Sequence, residues 1–273
     1  MAVQGDKRVV LVTGASSGIG KAIAARLAQG GWLVFGASRS GAPLGVAGVE
    51  MIAINVDEDA SVADGVAGLL ARTGRIDAVV NNAGWSITGA IEDTSVAEAR
   101  AQMETNFFGV LRVCRAVLPG MRARGSGAII NISSLSGLFG TPFCGLYSAS
   151  KFAVEGMTEA LRFETRRLGI RVVLIEPGDH ASALAARRLT VAGAAVNPAY
   201  RAAFERSKAA QDKDEAAAPP AENVAVLVAR VLELRNPAPR YAVGMAMQRI
   251  VVPLKRLLPG RWFEAIIAMA VGV

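Results

Sequence analysis

The sequence predicts an α/β fold in which one doubly wound parallel sheet of about seven strands carries helices on both faces. Short apolar runs alternate with helix-length amphipathic segments, an order typical of parallel sheets with right-handed crossovers. Most runs are nearly continuous in Val, Ile, Leu and Ala, as strands buried on both faces are. The 273 residues are 52% hydrophobic and 19% charged, which fits a single large domain with a sizeable core.

Seven segments predict the strands and five predict the helices. The strands are predicted at 9–13 (VVLVT), 32–38 (WLVFGAS), 51–56 (MIAINV), 76–84 (IDAVVNNAG), 127–134 (GAIINISS), 171–178 (RVVLIEPG) and 240–244 (RYAVG). Each is an apolar run of strand length. The amphipathic segments between them predict helices at about 18–29, 60–72, 96–118, 145–168 and 222–235.

Two regions of the single domain (1–273) depart from this alternation. Residues 179–220 mix Ala, Arg and Lys without a strand signal. They follow the carboxyl end of the sixth strand, where open α/β sheets bind ligands, so we interpret them as a small helical lobe that covers the substrate; a disordered loop is the alternative. Residues 245–273 are a C-terminal helical extension, basic and then apolar. Its apolar part is too short to span a bilayer, so it packs on the domain or a partner subunit, or makes a weak peripheral membrane contact.

The charge and the scarce reactive side chains exclude several function classes. The net charge of +7 comes from scattered Lys and Arg, so no nucleic-acid partner is expected. Cys114, Cys144 and His180 are too few for a zinc framework, so no metal site is expected. A single histidine also disfavours a hydrolase, since His180 would have to be its base. Two cysteines and an N-terminus without a long apolar stretch predict a cytoplasmic protein.

A glycine-rich segment, TGASSGIG (13–20), joins the first predicted strand to the first helix. Glycine permits the tight turn and the close approach of backbone to a pyrophosphate, and the helix N-terminus adds free N–H groups and a positive dipole. The hydroxyls of Ser16 and Ser17 can add contacts to phosphate. An ordinary strand–helix turn is the alternative, but the position between strand and helix favours dinucleotide binding.

A tyrosine and a lysine lie one helical turn apart in LYSASKFAVEG (146–156). Residues i and i+4 share one face of a helix, so Tyr147 and Lys151 can approach each other. An ammonium at about 4 Å from a phenol contributes roughly 4 kcal/mol at an effective dielectric constant of about 20. The pair therefore predicts that Lys151 lowers the Tyr147 pKa by up to about 3 units, towards working pH. A chance pair on a solvated face is the alternative.

These motifs, with NNAG (81–84), Asn106, a serine before the tyrosine and a Pro-Gly after the sixth strand, resemble the short-chain dehydrogenase/reductase family over roughly residues 7–245. The IEPG segment and the extended C-terminus look most like its hydroxysteroid and retinol dehydrogenase branch. The resemblance implies a Rossmann-type fold, a homodimer or homotetramer, and hydride transfer between a nicotinamide and a substrate carbon.

The resemblance also implies the catalytic residues. They are Asn106, Ser134, Tyr147 and Lys151, which in the family position a water, hold the substrate carbonyl, transfer the proton and bind the nicotinamide ribose, respectively. Ser133 is the adjacent alternative to Ser134. Neighbouring strand residues point to opposite faces, and the thirteen-residue spacing to the tyrosine matches Ser134.

The choice of cofactor depends on the end of the second strand. Residues 32–41 contain no acid, and Arg39 lies where the family's NADP-binding members have an arginine, so NADP (NADPH) is expected and NAD is less favoured. Arg39 as plain surface charge is the alternative, in which case Ser16, Ser17 and Lys21 would hold the phosphate.

Two further cofactor positions depart from the family pattern. Asn55 replaces an aspartate of many relatives, although an amide can still hydrogen-bond there. Ser182 replaces a threonine and keeps its hydroxyl. The cofactor-binding residues implied by the resemblance are Gly14, Ser16, Ser17, Gly18, Ile19, Gly20, Arg39, Asn55, Val56, Asn82, Ala83, Gly84, Tyr147, Lys151, Pro177, Gly178 and Ser182.

The segments expected to line the substrate side are apolar. Trp85, Leu138, Phe139 and Phe143 form this wall unless they are ordinary core, and they favour a small lipophilic ketone, aldehyde or alcohol. We therefore expect an NADP(H)-dependent oxidoreductase that interconverts an alcohol and a carbonyl. A 3-oxoacyl thioester reductase is the rival enzyme, and a non-catalytic dinucleotide sensor that regulates a partner is the rival from another class.

Overall fold

The centre of the molecule is a seven-stranded sheet, seen in a computed structural model that describes residues 7–180, 188–195 and 197–273. Its strands are β1 (Val9–Thr13), β2 (Leu33–Ser38), β3 (Val49–Ala53), β4 (Ala78–Asn81), β6 (Gly127–Ile132), β7 (Ile170–Pro177) and β9 (Arg240–Val243). Their order across the sheet is β3-β2-β1-β4-β6-β7-β9, and every pairing is parallel. The predicted α/β class is confirmed. The strand order changes direction between β1 and β4, whose carboxyl ends therefore open the crevice where such sheets bind ligands.

Helices cover both faces of this sheet. They are α1 (Gly18–Gln29), α2 (Asp59–Thr73), α3 (Val96–Met103), α4 (Gly109–Arg124), α5 (Gly145–Thr165), α6 (Pro198–Ala216), α7 (Glu222–Glu233), α8 (Ala246–Leu257) and α9 (Gly260–Val271). Alternate residues of β1 separate two cores. Val9 and Leu11 belong to the core that includes apolar residues of α2, α4 and α5, whereas Val10 and Val12 belong to the core that includes those of α1 and α7.

The helix predicted at 96–118 is divided in the structure. A π-helical turn, Glu104–Phe108, separates α3 from α4, and α4 continues to Arg124. Apolar periodicity carries no signal for the extra residue of a π turn, so the sequence predicted one continuous helix. Such turns are frequent at functional sites, and this one contains the buried Asn106.

The two regions that depart from the alternation are largely helical where the structure describes them. The lobe contains α6, and the short strands β5 (Ile87–Thr88) and β8 (Leu189–Thr190) pair in parallel to join it to the loop after β4. The tail forms α8 and α9. Phe263 and Ile267 of α9 are buried, and Arg206 of α6 donates to the Gly272 carbonyl at 2.9 Å. Within the described ranges, none of the helices has both the length and the apolarity needed to cross a bilayer.

A buried chain of polar side chains ties α5 to the sheet. The Asn81 amide donates to the side-chain carbonyl of Asn131 (2.8 Å), and the Asn131 amide donates to the Thr158 hydroxyl (2.8 Å). Thr158 donates in turn to the backbone carbonyl of Val154 (2.6 Å). All three polar side chains are at most 1% exposed. Because buried polar groups have to be paired, this chain fixes the position of α5 on β4 and β6.

We predict that Asn131→Ala lowers the free energy of unfolding by about 2–4 kcal/mol, since the buried Asn81 amide loses its carbonyl acceptor and the buried Thr158 hydroxyl loses its donor. Urea unfolding followed by circular dichroism measures the change. Asn223→Ala, at an exposed position at the start of α7, is the matched control and should stay within about 0.5 kcal/mol. A loss at Asn131 no larger than the control's would show that the polar chain does not hold the helix.

Candidate active site

The glycine loop after β1 is fastened to the loop after β4. The Thr13 hydroxyl accepts hydrogen bonds from the backbone N–H groups of Asn82 and Ala83 (both 3.0 Å), and the Asn82 amide donates to the Thr13 carbonyl (3.0 Å). A Cβ on Gly20 would lie 2.4 Å from both the Asn82 amide nitrogen and the Gly14 carbonyl oxygen. Glycine is therefore required at position 20 by close approach, and at position 14 by a φ of +64°.

The donors around this loop fit a phosphate group. Helix α1 begins directly after Ser17, whose hydroxyl does not cap it, so the first N–H groups of the helix have no side-chain partner from that residue. Ser16 is exposed, and Ile19 is partly buried. Arg39 follows β2, is exposed, and forms no hydrogen bond or ion pair with any residue that the structure describes.

Ser134, Tyr147 and Lys151 meet at the carboxyl end of β6. The Ser134 hydroxyl donates to the Pro177 carbonyl (3.3 Å) and lies within hydrogen-bonding reach of the Tyr147 phenol. The Lys151 ammonium lies 5.7 Å from the centre of the tyrosine ring and donates to the Ile132 carbonyl (2.9 Å). The structure thus brings together the three residues that the sequence proposed for proton transfer.

The ionisation of this group differs from the sequence prediction. Burial raises the pKa of Tyr147 to about 12, against the lowering effect of the Ser134 hydrogen bond. Burial also lowers the pKa of Lys151 to about 8, and the nearby Glu155 carboxyl opposes this. The prediction that Lys151 brings the tyrosine pKa towards neutrality is wrong for the protein groups by themselves, because loss of hydration is the largest effect on the phenol pKa and the Lys151 charge is not among its causes. The phenol is therefore protonated at neutral pH and can act as a proton donor.

Asn106 connects the loop after β4 to α5. Its side-chain carbonyl accepts from the Trp85 N–H, and its amide donates to the Trp85 carbonyl and to the Ser150 hydroxyl, all at 3.0 Å. Ser150 donates to the Tyr147 backbone carbonyl (2.7 Å). The asparagine side chain therefore bonds to other elements and not to the backbone of its own helix. A Cβ on Gly84 would lie 3.1 Å from the Asn106 carbonyl oxygen.

Ser133 points away from Ser134, towards Glu155. Burial raises the pKa of the Glu155 carboxyl and is the largest effect on it; the Ser133 hydroxyl acts in the opposite direction and lowers that pKa. Glu155 is 6% exposed and lies one turn beyond Lys151 on α5. Arg240 of β9 lies 3.6 Å from Glu155 and 3.3 Å from Glu176. Sequence reasoning missed this buried ionic group, although the i+4 spacing from Lys151 was a visible signal.

The remaining cofactor candidates lie at the same edge of the sheet. The Asn55 amide donates to the Glu58 carboxylate (2.7 Å) and so supports the start of α2, just beyond β3. Val56 is buried against Gly109. Pro177 is the last residue of β7, and its carbonyl accepts the hydrogen bond from Ser134; Gly178 comes directly after it. Ser182 lies outside the residues that the structure describes.

A contact between the tail and Gly178 was not foreseen. A Cβ on Gly178 would lie 2.2 Å from the Gln248 side-chain oxygen. That oxygen accepts from the Asp179 N–H (3.1 Å), and the Gln248 amide donates to the Asp179 carboxylate (2.6 Å). Burial raises the Asp179 pKa. His180 donates to the Gly178 carbonyl (3.0 Å) and is 4% exposed. This buried, hydrogen-bonded position fits a structural role for the histidine.

The four predicted substrate-wall residues are partly buried, neither fully exposed nor sealed in the core. The Trp85 indole donates to the Thr105 hydroxyl (3.1 Å). The Phe143 ring packs edge-on against Phe204 of α6, and the Phe139 ring against Phe263 of α9, with centroids 5.5 and 5.7 Å apart. The carbonyl of Leu138 accepts from Lys255 of α8. The wall therefore lies between the sheet edge, the lobe and the tail.

Neither thiol is suited to chemistry at the site. Cys114 and Cys144 are free and buried, and burial raises their pKa values to about 12 and about 11. In the described part of the chain, no three His, Cys, Asp or Glu residues gather as metal ligands.

Comparisons with known proteins agree with this geometry. Residues 8–191 match the family model described as short chain dehydrogenase. The chain is 38% identical over 257 residues to a 3-ketodihydrosphingosine reductase of Bacteroides thetaiotaomicron, covering 94% of this chain and 95% of that protein. A short-chain dehydrogenase structure from Streptomyces avermitilis has a TM-score of 0.82 and 31% identity, covering 92% of each chain. A metagenomic short-chain oxidoreductase solved with NADP has a TM-score of 0.68 and 27% identity, covering 86% of this chain and 96% of the other.

The cost of burying Lys151 gives a prediction on stability. Its pKa falls from the ordinary 10.5 to about 8, so protonation penalises folding fully below about pH 8, and the penalty vanishes above pH 10.5. Lys151→Met should therefore raise the free energy of unfolding at pH 7 by about 2–3 kcal/mol, less the lost hydrogen bond.

Urea unfolding at pH 7 and at about pH 10 tests this, with a smaller gain expected at the higher pH. Lys208→Met, on an exposed position of α6, is the control. An equal gain at both pH values, or a loss at pH 7, would contradict the burial argument.

Proposed function

The chain belongs to the short-chain dehydrogenase family, whose enzymes act on CH–OH groups with NAD or NADP, and we propose that it interconverts a lipophilic alcohol and its ketone or aldehyde with NADP(H). The observation that carries this proposal is the Ser134, Tyr147 and Lys151 group at the carboxyl end of β6. A dinucleotide sensor without catalysis would not need the tyrosine or the lysine, and both are assembled here.

The protein's own groups divide the work of carbonyl reduction. Ser134 holds the carbonyl oxygen, and Tyr147 gives it the phenolic proton. When bound, NADPH would supply the hydride that the carbonyl carbon accepts. Lys151 lies against the tyrosine ring and offers an ammonium to a ribose hydroxyl, while Asn106 holds the backbone beneath Tyr147 through Ser150. The raised Tyr147 pKa keeps this proton available at neutral pH.

The residues around the glycine loop fit a dinucleotide with an additional phosphate. The loop and the N-terminus of α1 would hold the pyrophosphate. Arg39, which has no competing partner among the described residues, would hold the 2′-phosphate of NADP. NAD is the less favoured cofactor, because residues 32–41 offer no carboxylate for the ribose hydroxyls.

The substrate class is supported by the wall and by the relative. The wall formed by Trp85, Leu138, Phe139 and Phe143 is apolar and partly exposed. The relative from Bacteroides thetaiotaomicron is named for a ketone on a long-chain base. We therefore favour a long-chain lipid ketone. A 3-oxoacyl thioester is the second candidate, since its 3-oxo group is a ketone like the 3-keto group in the relative's name.

Exposed aromatic residues support a homodimer or homotetramer. Phe108 of the π turn and Phe152 and Phe163 of α5 are 41%, 43% and 75% exposed. Such side chains are commonly covered by another protein surface. The two free thiols support a reducing compartment such as the cytoplasm.

Tyr147→Phe should keep cofactor affinity and lose turnover by about 100-fold to 10,000-fold, because it removes the proton donor and keeps the ring. Turnover is followed by NADPH absorbance with a long-chain lipid ketone, a 3-oxoacyl thioester, a steroid, a retinoid and a small ketone. Tyr200→Phe removes an exposed tyrosine hydroxyl bonded to Glu92 and serves as the control. Turnover of Tyr147→Phe within tenfold of the parent would remove this residue from the mechanism.

Arg39→Asp should turn a preference for NADPH into one for NADH. Loss of a charge-assisted bond contributing about 1.5–3 kcal/mol weakens NADPH binding by about tenfold to a hundredfold. The new carboxylate repels the phosphate and can accept from ribose hydroxyls. Dissociation constants for both cofactors, in the parent and in the exposed control Arg100→Asp, measure the change. A parent that already prefers NADH would refute the role of Arg39.

A further inference from the structure

The two C-terminal helices leave apolar side chains in solvent. Trp262, Ile266 and Met269 of α9 are 68%, 40% and 82% exposed, and their i, i+4, i+7 spacing places them on one face. On α8, Met247 and Leu257 are 76% and 78% exposed, and Ile250, at 50%, lies on the same face as these two. We call these six residues the tail patch. Of the fourteen large exposed apolar residues in the described part of the chain, seven lie at or beyond Met247.

Basic residues accompany the tail patch. Residues 245–273 contain Arg249, Lys255, Arg256 and Arg261, against the single acid Glu264. Arg249, Lys255 and Arg261 are exposed. An exposed apolar stripe with cations beside it is the pattern of a helix that lies in the interface of an anionic bilayer. A second copy of this chain would bring the same cations against these, so the charge opposes a contact between copies.

The opposite side of the tail is fixed to the domain beside the substrate wall. Phe263 is buried and packs against Phe139, and Gln248 is bonded to Asp179. The exposed side therefore faces outward from a held position. Each helix has 12 residues, or about 18 Å of length, which is too short to cross a hydrocarbon core of about 30 Å. Such helices can lie on a membrane but cannot span it.

We propose that the tail patch docks the protein on the surface of an anionic membrane, so that a lipid substrate enters the site directly from the bilayer. The docking rests on the exposed apolar side chains and the cations of α8 and α9, and it does not depend on the proposed function. The delivery of substrate rests on the proposed function, since it requires a lipophilic substrate that reaches the wall next to the tail.

Co-sedimentation with vesicles tests the docking without any turnover. The parent should bind vesicles of equal parts phosphatidylcholine and phosphatidylglycerol, bind pure phosphatidylcholine more weakly, and lose binding as salt rises. Arg249→Gln with Arg261→Gln should weaken binding to the mixed vesicles by about 25-fold, about fivefold for each charge. Trp262→Ser with Met269→Ser should weaken it by at least about tenfold, since both apolar side chains are lost.

Trp262 also gives a local signal. Its fluorescence should shift to the blue on the mixed vesicles, and Trp262→Phe should abolish the shift while keeping most of the binding. Val96→Ser with Ile91→Ser removes two exposed apolar side chains elsewhere, 66% and 72% exposed. This control should bind vesicles as the parent does. All variants should turn over a water-soluble ketone at the parent's rate, which shows that the domain is folded.

Two results would overturn the proposal. One is a parent that fails to sediment with the mixed vesicles, or that binds them no better than phosphatidylcholine. The other is a tail-patch variant that changes the oligomeric state in sedimentation velocity without changing vesicle binding, which would assign the patch to a contact between copies. Vesicle binding by a chain that reduces no ketone would leave the docking intact and refute the proposed function instead.

Discussion

Burial of the Lys151 ammonium is the constraint around which the site is built. The side chain is 6% exposed, and its hydrogen bond to the Ile132 carbonyl holds it at the end of β6. A charge in this position has to be supported from several sides. The chain from Asn81 through Asn131 to Thr158 fixes α5, and the carboxyl of Glu155 faces the ammonium from one turn away. With α5 held in this way, Tyr147 meets Ser134 without further adjustment.

The strands were predictable because their chemistry is local. A strand buried on both faces is apolar at most positions, and VVLVT of β1 and the VVLI run within β7 show this directly. The β3 strand was predicted two residues too late at its start and three at its end, because Asn55 and Val56 already belong to the turn that begins α2. The glycine loop was predictable for the same local reason, since positions 14 and 20 admit no side chain.

Three features of the site could not be predicted from the local sequence pattern. The pKa of Tyr147 depends on how much water the fold removes, and sequence spacing reports only the neighbouring charge; the predicted direction was therefore wrong. The hydrogen bond between Gln248 and Asp179 joins positions 69 residues apart. Neither residue type, at its place in the sequence, predicts contact with the other. The placement of Asn106 in a π turn could not be predicted either, because the periodicity of apolar residues does not reveal a single inserted residue.

The bond between Gln248 and Asp179 also has a consequence for biosynthesis. A ribosome delivers the acid–base residues of α5 well before it delivers α8, so the nascent chain holds a tyrosine, a serine and a lysine with one side of their pocket still open. The wall gains its last supports when Gln248 reaches Asp179 and Phe263 reaches Phe139. Translation that stops between Val243 and Gln248 would therefore release a chain that contains all seven strands of the sheet and lacks both of these contacts. Emergence of α8 and α9 is thus the step of synthesis that completes the wall beside the site.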